Sequence, residues 1–305
     1  MLDYVVAVDL GGTLTKVAYA HRDGSTTPAV RLPTALVDGQ ASVPWLASVV
    51  DEAAAARGAD HCLGFGVVVP GIIDVPRGVV RAAPNVGWFD VPLRHRLTEL
   101  TGWPGIVAHD VRSGGLAEWR TGAGVGAANL LFLPLGTGIA GAMVVDGRLV
   151  DADGYAGEIG HIAVPAAGDA VCLCGQRGCL ETVASAPGVV RTYAQGAGGR
   201  AVDAQDIAHL ARTGDPAAQE AFALAVRALT EALTIYATLL GPQTVVIGGG
   251  LAGAFDLIGP PVAARLDATL AFQRRPTLVP AKLGADAGVV GAGLVAWDRI
   301  LKEEL

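Results

Sequence analysis

An apolar strand that runs into a glycine turn and returns as a second strand occurs twice in this 305-residue chain. In the first copy, residues 2–8 lead into Gly11-Gly12-Thr13 and residues 16–20 return. In the second, residues 129–135 and 139–145 flank Gly136-Thr137-Gly138. Apolar runs of this length bounded by glycine indicate buried strands, so each copy predicts a β-hairpin. We therefore expect two similar halves, each with a glycine loop.

Strands alternate with helices over the rest of the chain, which predicts an α/β fold. We expect a smaller N-terminal α/β lobe over residues 1–110, joined by a C-terminal helix over 287–305. A larger α/β lobe is expected over 111–286. The other predicted elements are strands at 63–69, 105–108 and 244–247, helices at 42–57 and 112–119, and a long helix that Asp215 caps, Pro216 opens and Gly241-Pro242 ends.

Composition limits the partners of the chain. Hydrophobic residues make up 51% and charged residues 17%, so a large core can be buried. The net charge of -7, without a basic cluster, argues against nucleic acid as a partner. The longest uncharged stretch, residues 130–145, is broken by Pro134 and three glycines, so no membrane partner is expected. The first residues lack the features of a signal peptide, and we expect a cytoplasmic protein.

The segment Asp9 to Lys16 follows a strand and reads Asp-Leu-Gly-Gly-Thr-Leu-Thr-Lys. Its glycines would let backbone N–H groups approach phosphate oxygens, and Asp9 could hold a hydrated Mg²⁺. An ordinary hairpin turn is the alternative. The second glycine loop favours the phosphates of ATP. Gly248-Gly249-Gly250 also follows a strand, and either adenosine contacts its backbone or it is a simple strand-to-helix turn.

Three clustered cysteines and one histidine match the ligand set of a structural zinc site. Cys172, Cys174 and Cys179 follow His161 in the chain, and Cys3His is a closed tetrahedral set. Buried cysteines beside a core histidine are the alternative. Four protein ligands leave no open position for water, so hydrolysis at this metal is disfavoured.

Asp110 comes after the strand predicted at 105–108, with His109 between them. Carboxyl ends of strands are where α/β folds place groups that handle ligands, so Asp110 is a candidate general base. The alternative is an N-cap of the following helix.

Taken together, these motifs resemble the ROK-family sugar kinases in order and spacing. The resemblance covers nearly the whole chain and is most specific over Gly157-Glu158-Ile159-Gly160-His161 and the cysteine cluster that follows. It implies an actin-like (ribonuclease H-like) two-lobed ATPase fold, often dimeric, with sugar in an interlobe cleft. It also implies ATP-dependent phosphorylation of the 6-hydroxyl of glucose or a glucose-like sugar, with Mg²⁺, a structural Zn²⁺ and Asp110 as the base.

The resemblance also assigns binding residues. Those implied to contact the sugar are Gly71, Asn85, His109, Asp110, Glu158, His161 and Glu181. Those implied to contact the nucleotide are Asp9, Gly11, Gly12, Thr13, Lys16, Gly136, Thr137, Gly138, Gly249 and Gly250.

His109 departs from the usual family pattern, in which an asparagine at this place is one of the sugar contacts. A neutral imidazole offers one donor and one acceptor on a larger ring, so His109 is expected to influence sugar preference. Alternative substrates are a cyclitol or an amino sugar such as kanosamine or N-acetylmannosamine. Alternatives of another class are a sugar-responsive transcriptional regulator and a non-catalytic sugar-binding protein. Family regulators carry a helix-turn-helix before the phosphate loop, which here begins at residue 9, so we expect an enzyme.

Overall fold

A computed structural model of the chain describes residues 2–196 and 203–303, which divide into two compact units. Unit 1 comprises the residues up to Ala117, the segment Asp151–Ala156 and the described residues from Asp286 onward. Unit 2 comprises Glu118–Val150 and Gly157–Ala285, apart from residues 197–202. Residues 304–305 of the predicted C-terminal helix lie outside the described part of the chain.

The division between the two units falls within a helix, between Ala117 and Glu118. The first turns of that helix pack on unit 1. A Cβ added to Gly291, in the C-terminal helix, would lie 2.1 Å from the carbonyl oxygen of Ser113, so the two backbones are in direct contact. Close backbone packing of this kind keeps residues 110–117 with unit 1.

The main sheet of unit 1 has five strands in the order β10-β6-β1-β2-β3. Its strand β1 pairs antiparallel with β2 and parallel with β6. A separate three-stranded antiparallel sheet is formed by β7, β8 and β9. The strands are β1 (Tyr4–Leu10), β2 (Leu14–Ala20), β3 (Val30–Pro33), β4 (Leu36–Val37), β5 (Gln40–Ala41), β6 (Cys62–Val69), β7 (Ile72–Asp74), β8 (Val79–Ala83), β9 (Trp88–Val91) and β10 (Gly105–His109), and the helices that begin in unit 1 are α1 (Val43–Arg57), α2 (Leu93–Thr101), α3 (Asp110–Thr121) and α9 (Ala287–Glu303).

The sheet of unit 2 has the order β13-β12-β11-β14-β15. Strand β11 pairs antiparallel with β12 and parallel with β14. The strands are β11 (Leu130–Pro134), β12 (Ala142–Val145), β13 (Arg148–Leu149), β14 (Thr244–Gly248) and β15 (Thr277–Pro280), and the helices are α4 (Glu181–Ala184), α5 (Ala186–Gly196), α6 (Ala204–Arg212), α7 (Pro216–Leu240) and α8 (Phe255–Thr269).

The two sheets have the same topology. Counted along the chain within each sheet, both run 3-2-1-4-5, with two antiparallel pairings on one side of the first strand and two parallel pairings on the other. Parallel neighbours require crossover connections, which α-helices supply in each unit. The two glycine turns lie in corresponding places, between the first and second strands of each sheet. The predicted pair of similar halves is thus confirmed at the level of strand order.

Helix α7 is the central helix of unit 2. Asp215 caps it by accepting a 2.9 Å hydrogen bond from the N–H of Ala218, and Gly241 ends it in a left-handed conformation. Within the described residues it is the one helix long and apolar enough to cross a membrane, and half of that apolar window is buried. Its buried residues, among them Phe222 and Leu233, belong to the hydrophobic core of unit 2, as in the core helix of a globular domain.

The second hairpin is shorter than predicted. Regular pairing on its return side begins at Ala142, and the expected start at Ile139 is only an isolated bridge to Leu135. The N–H of Gly141 donates to the carbonyl oxygen of Gly157 at 2.6 Å, which draws this segment away from β11.

Candidate active site

The glycine turn of unit 1 is closed by a 3.0 Å hydrogen bond from the N–H of Gly11 to the carbonyl oxygen of Leu14. Thr34, after β3, braces the turn: its hydroxyl donates to the carbonyl oxygen of Gly11 and its N–H to that of Thr13. The N–H groups of Gly12 and Thr13 donate to no residue in the described part of the chain. Two adjacent unsatisfied N–H groups in a turn can bind an anion such as phosphate.

Asp9 and Lys16 form an ion pair at the base of this turn. Their side-chain atoms lie 2.9 Å apart, and both side chains are mostly buried. Burial raises the pKa of Asp9, with Lys16 opposing the shift and Asp110 adding to it. A Cβ on Gly288, in the first turn of α9, would lie 2.6 Å from Asp9 Oδ2, so only glycine lets the carboxylate approach this helix terminus, where the helix dipole favours a negative charge.

Asp110 is the first residue of α3 and lies at the carboxyl end of β10. Its Oδ1 accepts a 2.6 Å hydrogen bond from the N–H of Val111. Burial raises the pKa of Asp110, while the Val111 hydrogen bond and the charges of Arg112 and Lys16 oppose the shift. Strands β1, β6 and β10 run parallel, with Asp9 opposite Val68 and His109 opposite Val69, so Asp110 and the Asp9–Lys16 pair lie at the same edge of the sheet. A carboxylate with a raised pKa is a candidate proton acceptor.

His109, and not Asp110, makes the N-cap contact of α3. Its Nδ1 accepts a 3.2 Å hydrogen bond from the N–H of Arg112, the third residue of the helix. The Arg112 side chain is buried and contacts the segment Asp151–Ala156. Its Nη1 donates to the carbonyl oxygens of Gly154 and Ala156 at 3.1 and 3.3 Å, and its Nε lies 3.1 Å from Asp151.

Gly71 and Asn85 lie around the small β7–β8–β9 sheet of unit 1. Gly71 has φ +105°, and a Cβ there would lie 2.1 Å from the carbonyl oxygen of Ala82, so the site requires glycine. Asn85 is exposed in a single helical turn between β8 and β9. Its carbonyl oxygen would lie 2.5 Å from a Cβ on Gly12, which places the glycine turn of unit 1 against the Asn85 backbone.

The glycine turn of unit 2 is held by a carboxylate from a distant part of the chain. Glu181 Oε2 accepts a 2.8 Å hydrogen bond from the N–H of Ile139. A Cβ on Gly138 would lie 2.8 Å from the same oxygen. The N–H groups of Thr137 and Gly138 donate to no residue among those described, as in the turn of unit 1. Glu181 thus connects this turn to the start of α4.

The Gly248–Gly250 turn lies beside the residue that precedes the second glycine turn. The N–H of Leu135 donates to Gly248 and the carbonyl oxygen of Leu135 accepts from Leu251, at 2.9 and 3.0 Å. A surface pocket of about 350 Å³ opens next to Gly250, between this turn and helix α6, where it is lined by Gln205 and Arg212. Its volume is within the range of small-ligand sites.

His161, Cys172, Cys174 and Cys179 converge in unit 2, with one potential ligand atom from each lying within 4.8 Å of the others. The Sγ atoms of Cys174 and Cys179 are 3.7 Å apart, and Cys172 Sγ is 3.7 Å from His161 Nδ1. Zinc–sulfur bonds of about 2.3 Å in a tetrahedron place two sulfurs about 3.8 Å apart. The donor set and its spacing therefore fit zinc. His161 Nε2 lies on the other side of the ring, 4.0 Å from Glu158 Oε2.

Three contacts of the site were not predicted from the sequence. Thr34 hydrogen-bonds to the glycine turn of unit 1, Glu181 hydrogen-bonds to that of unit 2, and Arg112 contacts the segment Asp151–Ala156. Thr34 and Glu181 act across 23 and 42 residues. No local motif indicates such contacts. Arg112 lies two residues after Asp110, and this closeness to the candidate base was the one signal in the sequence.

Two sheets of the same topology, each with a glycine turn between its first and second strands, match an actin-like α/β fold. The model of the ROK family matches residues 5–299. A glucokinase of Halalkalibacterium halodurans is 36% identical, over 95% of this chain and 94% of the relative. A kanosamine kinase of Amycolatopsis mediterranei is 32% identical, over 97% and 98% of the two chains. The solved structure of a ROK family glucokinase from Streptomyces griseus in complex with glucose and AMPPNP is 27% identical, with a TM-score of 0.81 over 97% of this chain and 99% of that one.

The chain belongs to the ROK family. The resemblance found in the sequence and the predicted actin-like α/β fold are therefore confirmed.

Proposed function

We propose that the protein is an ATP-dependent hexose kinase that phosphorylates the 6-hydroxyl of glucose or a glucose-like sugar. One observation carries this proposal: the strand-end carboxyl group of Asp110 lies at the same sheet edge as the Asp9–Lys16 pair, which stands beside a turn with two N–H groups that donate to no described residue. A base and a phosphate-binding turn in one unit are the minimum that phosphoryl transfer to a hydroxyl requires. Similarity over the full length to a glucokinase supports the same reaction.

Asp110 is the proposed general base. It would accept the proton of the sugar 6-hydroxyl as that oxygen bonds to the γ-phosphorus and the bond from phosphorus to the bridging oxygen of ADP breaks. A raised pKa makes Asp110 a better proton acceptor than an ordinary carboxylate, provided that it is ionised at the working pH. Lys16 lowers that pKa and favours the ionised form.

The two glycine turns are proposed to bind the phosphates of ATP. Gly11, Gly12 and Thr13 would use the N–H groups of the unit 1 turn, and Gly136, Thr137 and Gly138 those of the unit 2 turn. Asp9 offers a carboxylate, the ligand type that Mg²⁺ prefers, and its Oδ2 already pairs with Lys16. Mg²⁺ would neutralise phosphate charge there, with Asp9 holding one of its waters. Gly249 and Gly250 are proposed to contact adenosine, since the pocket beside Gly250 has the volume of a ligand site.

The proposed sugar contacts are those that the family resemblance implies. They are Gly71, Asn85, His109, Asp110, Glu158, His161 and Glu181. The geometry of unit 2 supports a link between sugar and phosphate, because Glu181 also holds the second glycine turn through Ile139. The sugar would then be aligned with the γ-phosphoryl group by groups that also fix the phosphates, and such alignment supplies much of the rate of phosphoryl transfer.

Zinc is the proposed structural metal of His161, Cys172, Cys174 and Cys179. Nδ1 of His161 faces Cys172 and leaves Nε2 on the Glu158 side, so one ring can serve both the metal and the sugar site. Cys179 lies two residues before Glu181, so fixing it also fixes the start of α4.

We propose a cytoplasmic location and no nucleic-acid partner. None of the four cysteines forms a disulfide within the described part of the chain, which suits a reducing compartment, and the net charge of -7 disfavours binding to a polyanion. A homodimer is proposed on the family resemblance. We also propose an N-terminal lobe of residues 1–110, joined by residues 287–305, and a larger lobe of residues 111–286.

An amino-sugar kinase is the second candidate function, because a kanosamine kinase is similar over the full length of the chain. The deciding experiment measures ATP turnover with Mg²⁺ and a panel of hexoses, amino sugars and cyclitols. Turnover that requires a sugar supports a kinase, and the best sugar identifies the substrate class. Sugar binding without turnover would instead indicate a regulator or a binding protein.

A further inference from the structure

His109 is fixed between β10 and α3 by its N-cap contact. Two groups compete for its Nδ1: the N–H of Arg112 at 3.2 Å and the Oδ1 of Asp110 at 3.5 Å. The first is a hydrogen bond with a backbone donor, whereas the second distance is too long for one. Because a backbone N–H can only donate, Nδ1 must supply the lone pair and carry no proton.

The imidazole is therefore neutral, with its single proton on Nε2. Its surroundings agree: burial, with a further contribution from the charge of Arg112, lowers the pKa of His109 to about 3, and Asp151 opposes the shift. The sequence alone suggested a ring with one donor and one acceptor for the sugar. The acceptor is already used by the helix, so only the Nε2–H donor remains.

We propose that His109 acts as a specificity residue that presents only a hydrogen-bond donor, so that the enzyme takes neutral hexoses and rejects sugars with a free ammonium at the position facing this ring. The inference rests on the proposed function, in which His109 contacts the sugar. A hydroxyl oxygen can accept from Nε2–H, but an ammonium has three donors and no lone pair. Two donors would then face each other away from water, near the positive charge of Arg112.

Two substitutions separate the donor from the helix cap. Asparagine and aspartate are both strong N-cap residues, so either retains the contact with the Arg112 N–H. His109→Asn keeps a donor, its amide NH2. His109→Asp replaces the donor with a carboxylate that accepts from an ammonium. Thermal unfolding of both variants checks that α3 is intact, and His109→Ala, which loses the cap, shows what a purely structural loss does.

The experiment measures kcat/KM for glucose and for its 2-amino, 3-amino and 4-amino analogues at about pH 6.5, where the amines are protonated. We expect the wild type and His109→Asn to discriminate against one analogue by at least about tenfold. His109→Asp should reduce that ratio at least about tenfold, at the same ring position only.

A wild type that uses all three analogues within about threefold of glucose would overturn the inference without any variant. An equal change of all three ratios in His109→Asp would overturn it too, because a structural defect has that effect. If the wild type phosphorylates glucose but shows either result, the proposed function survives. If no sugar of any class is phosphorylated, the proposed function fails and the inference fails with it.

Discussion

The two glycine turns occupy the same place in the same sheet topology, yet different parts of the chain hold them. In unit 1 the charged pair Asp9–Lys16 lies within the hairpin itself. In unit 2 the hairpin strands β11 and β12 carry no charge, and the carboxylate beside the turn is Glu181, 42 residues after Ile139. The turn is thus encoded locally in both halves, but its electrostatics are local only in unit 1.

Because of this difference, we expect the two turns to respond differently to changes in the cysteine cluster. The unit 1 turn should tolerate changes in the cysteine cluster, because its own strands and Thr34 brace it. The unit 2 turn should not, because Glu181 begins α4 two residues after Cys179, a potential metal ligand. The strand ends differ as well: β10 leads into Asp110, whereas β15 in unit 2 leads into Ala281 and Lys282.

Asp110→Asn is expected to have the largest effect on activity. Removing a general base should lower kcat by about 10² to 10⁴ and leave sugar affinity within about tenfold. Lys282→Gln, at the corresponding strand end of unit 2, is the control and should keep kcat within about twofold, since its side chain is exposed. Steady-state kinetics and sugar titrations measure both. If kcat of Asp110→Asn stays within about threefold of wild type, Asp110 has no part in proton transfer.

Metal removal tests whether the unit 2 turn depends on the cysteine cluster. We expect about one zinc per chain, because the cluster is a single closed four-ligand site. Cys174→Ala should lose the zinc, lower the unfolding temperature and reduce kcat/KM for sugar and ATP together by about a hundredfold, since small displacements of positioning groups cost that much. Cys62→Ala, outside the cluster, should retain the zinc. Metal analysis that finds active protein without zinc would contradict this.

Gly138→Ala tests the contact between the glycine turn of unit 2 and Glu181 directly. The added Cβ would lie 2.8 Å from Glu181 Oε2, so the turn or the carboxylate must shift. We expect KM for ATP and KM for sugar to rise together, with a loss of about tenfold in kcat/KM. Gly136→Ala, whose Cβ has its nearest neighbour at 3.8 Å, should cost less. Equal losses for the two variants would mean that Glu181 does not couple the turn to the sugar.

Gly288→Ala is the matching change in unit 1 and has the smallest expected effect. Its Cβ would crowd Asp9 Oδ2, so KM for Mg·ATP should rise a few-fold while KM for sugar is unchanged. In an Asp9→Ala background the crowded atom is gone, and Gly288→Ala should add nothing further. Additive effects of the two substitutions would show that Gly288 acts elsewhere.

Features that depend on residues close together in the chain could be predicted from the sequence, whereas contacts between distant residues could not. The turns at Gly11 and Gly136, the cap at Asp215 and the Cys3His set were predictable, because each is specified within a short stretch. The role of Glu181 as a brace was not, since its partner Ile139 becomes a neighbour only when the chain folds. The N-cap contact of α3 was expected at Asp110 as an alternative to the base, but His109 makes it, because the helix begins two residues before the predicted start at 112.

The proposed reaction is ATP-dependent phosphoryl transfer to a hexose 6-hydroxyl. Phosphorus NMR of the purified protein with Mg·ATP and glucose tests it most directly, with 6-deoxyglucose as the matched control. We expect glucose 6-phosphate and ADP in equal amounts, and neither a sugar phosphate nor appreciable ADP with 6-deoxyglucose. Phosphate on another hydroxyl, or ADP formed with free phosphate and no phosphorylated sugar from any hexose tested, would contradict it.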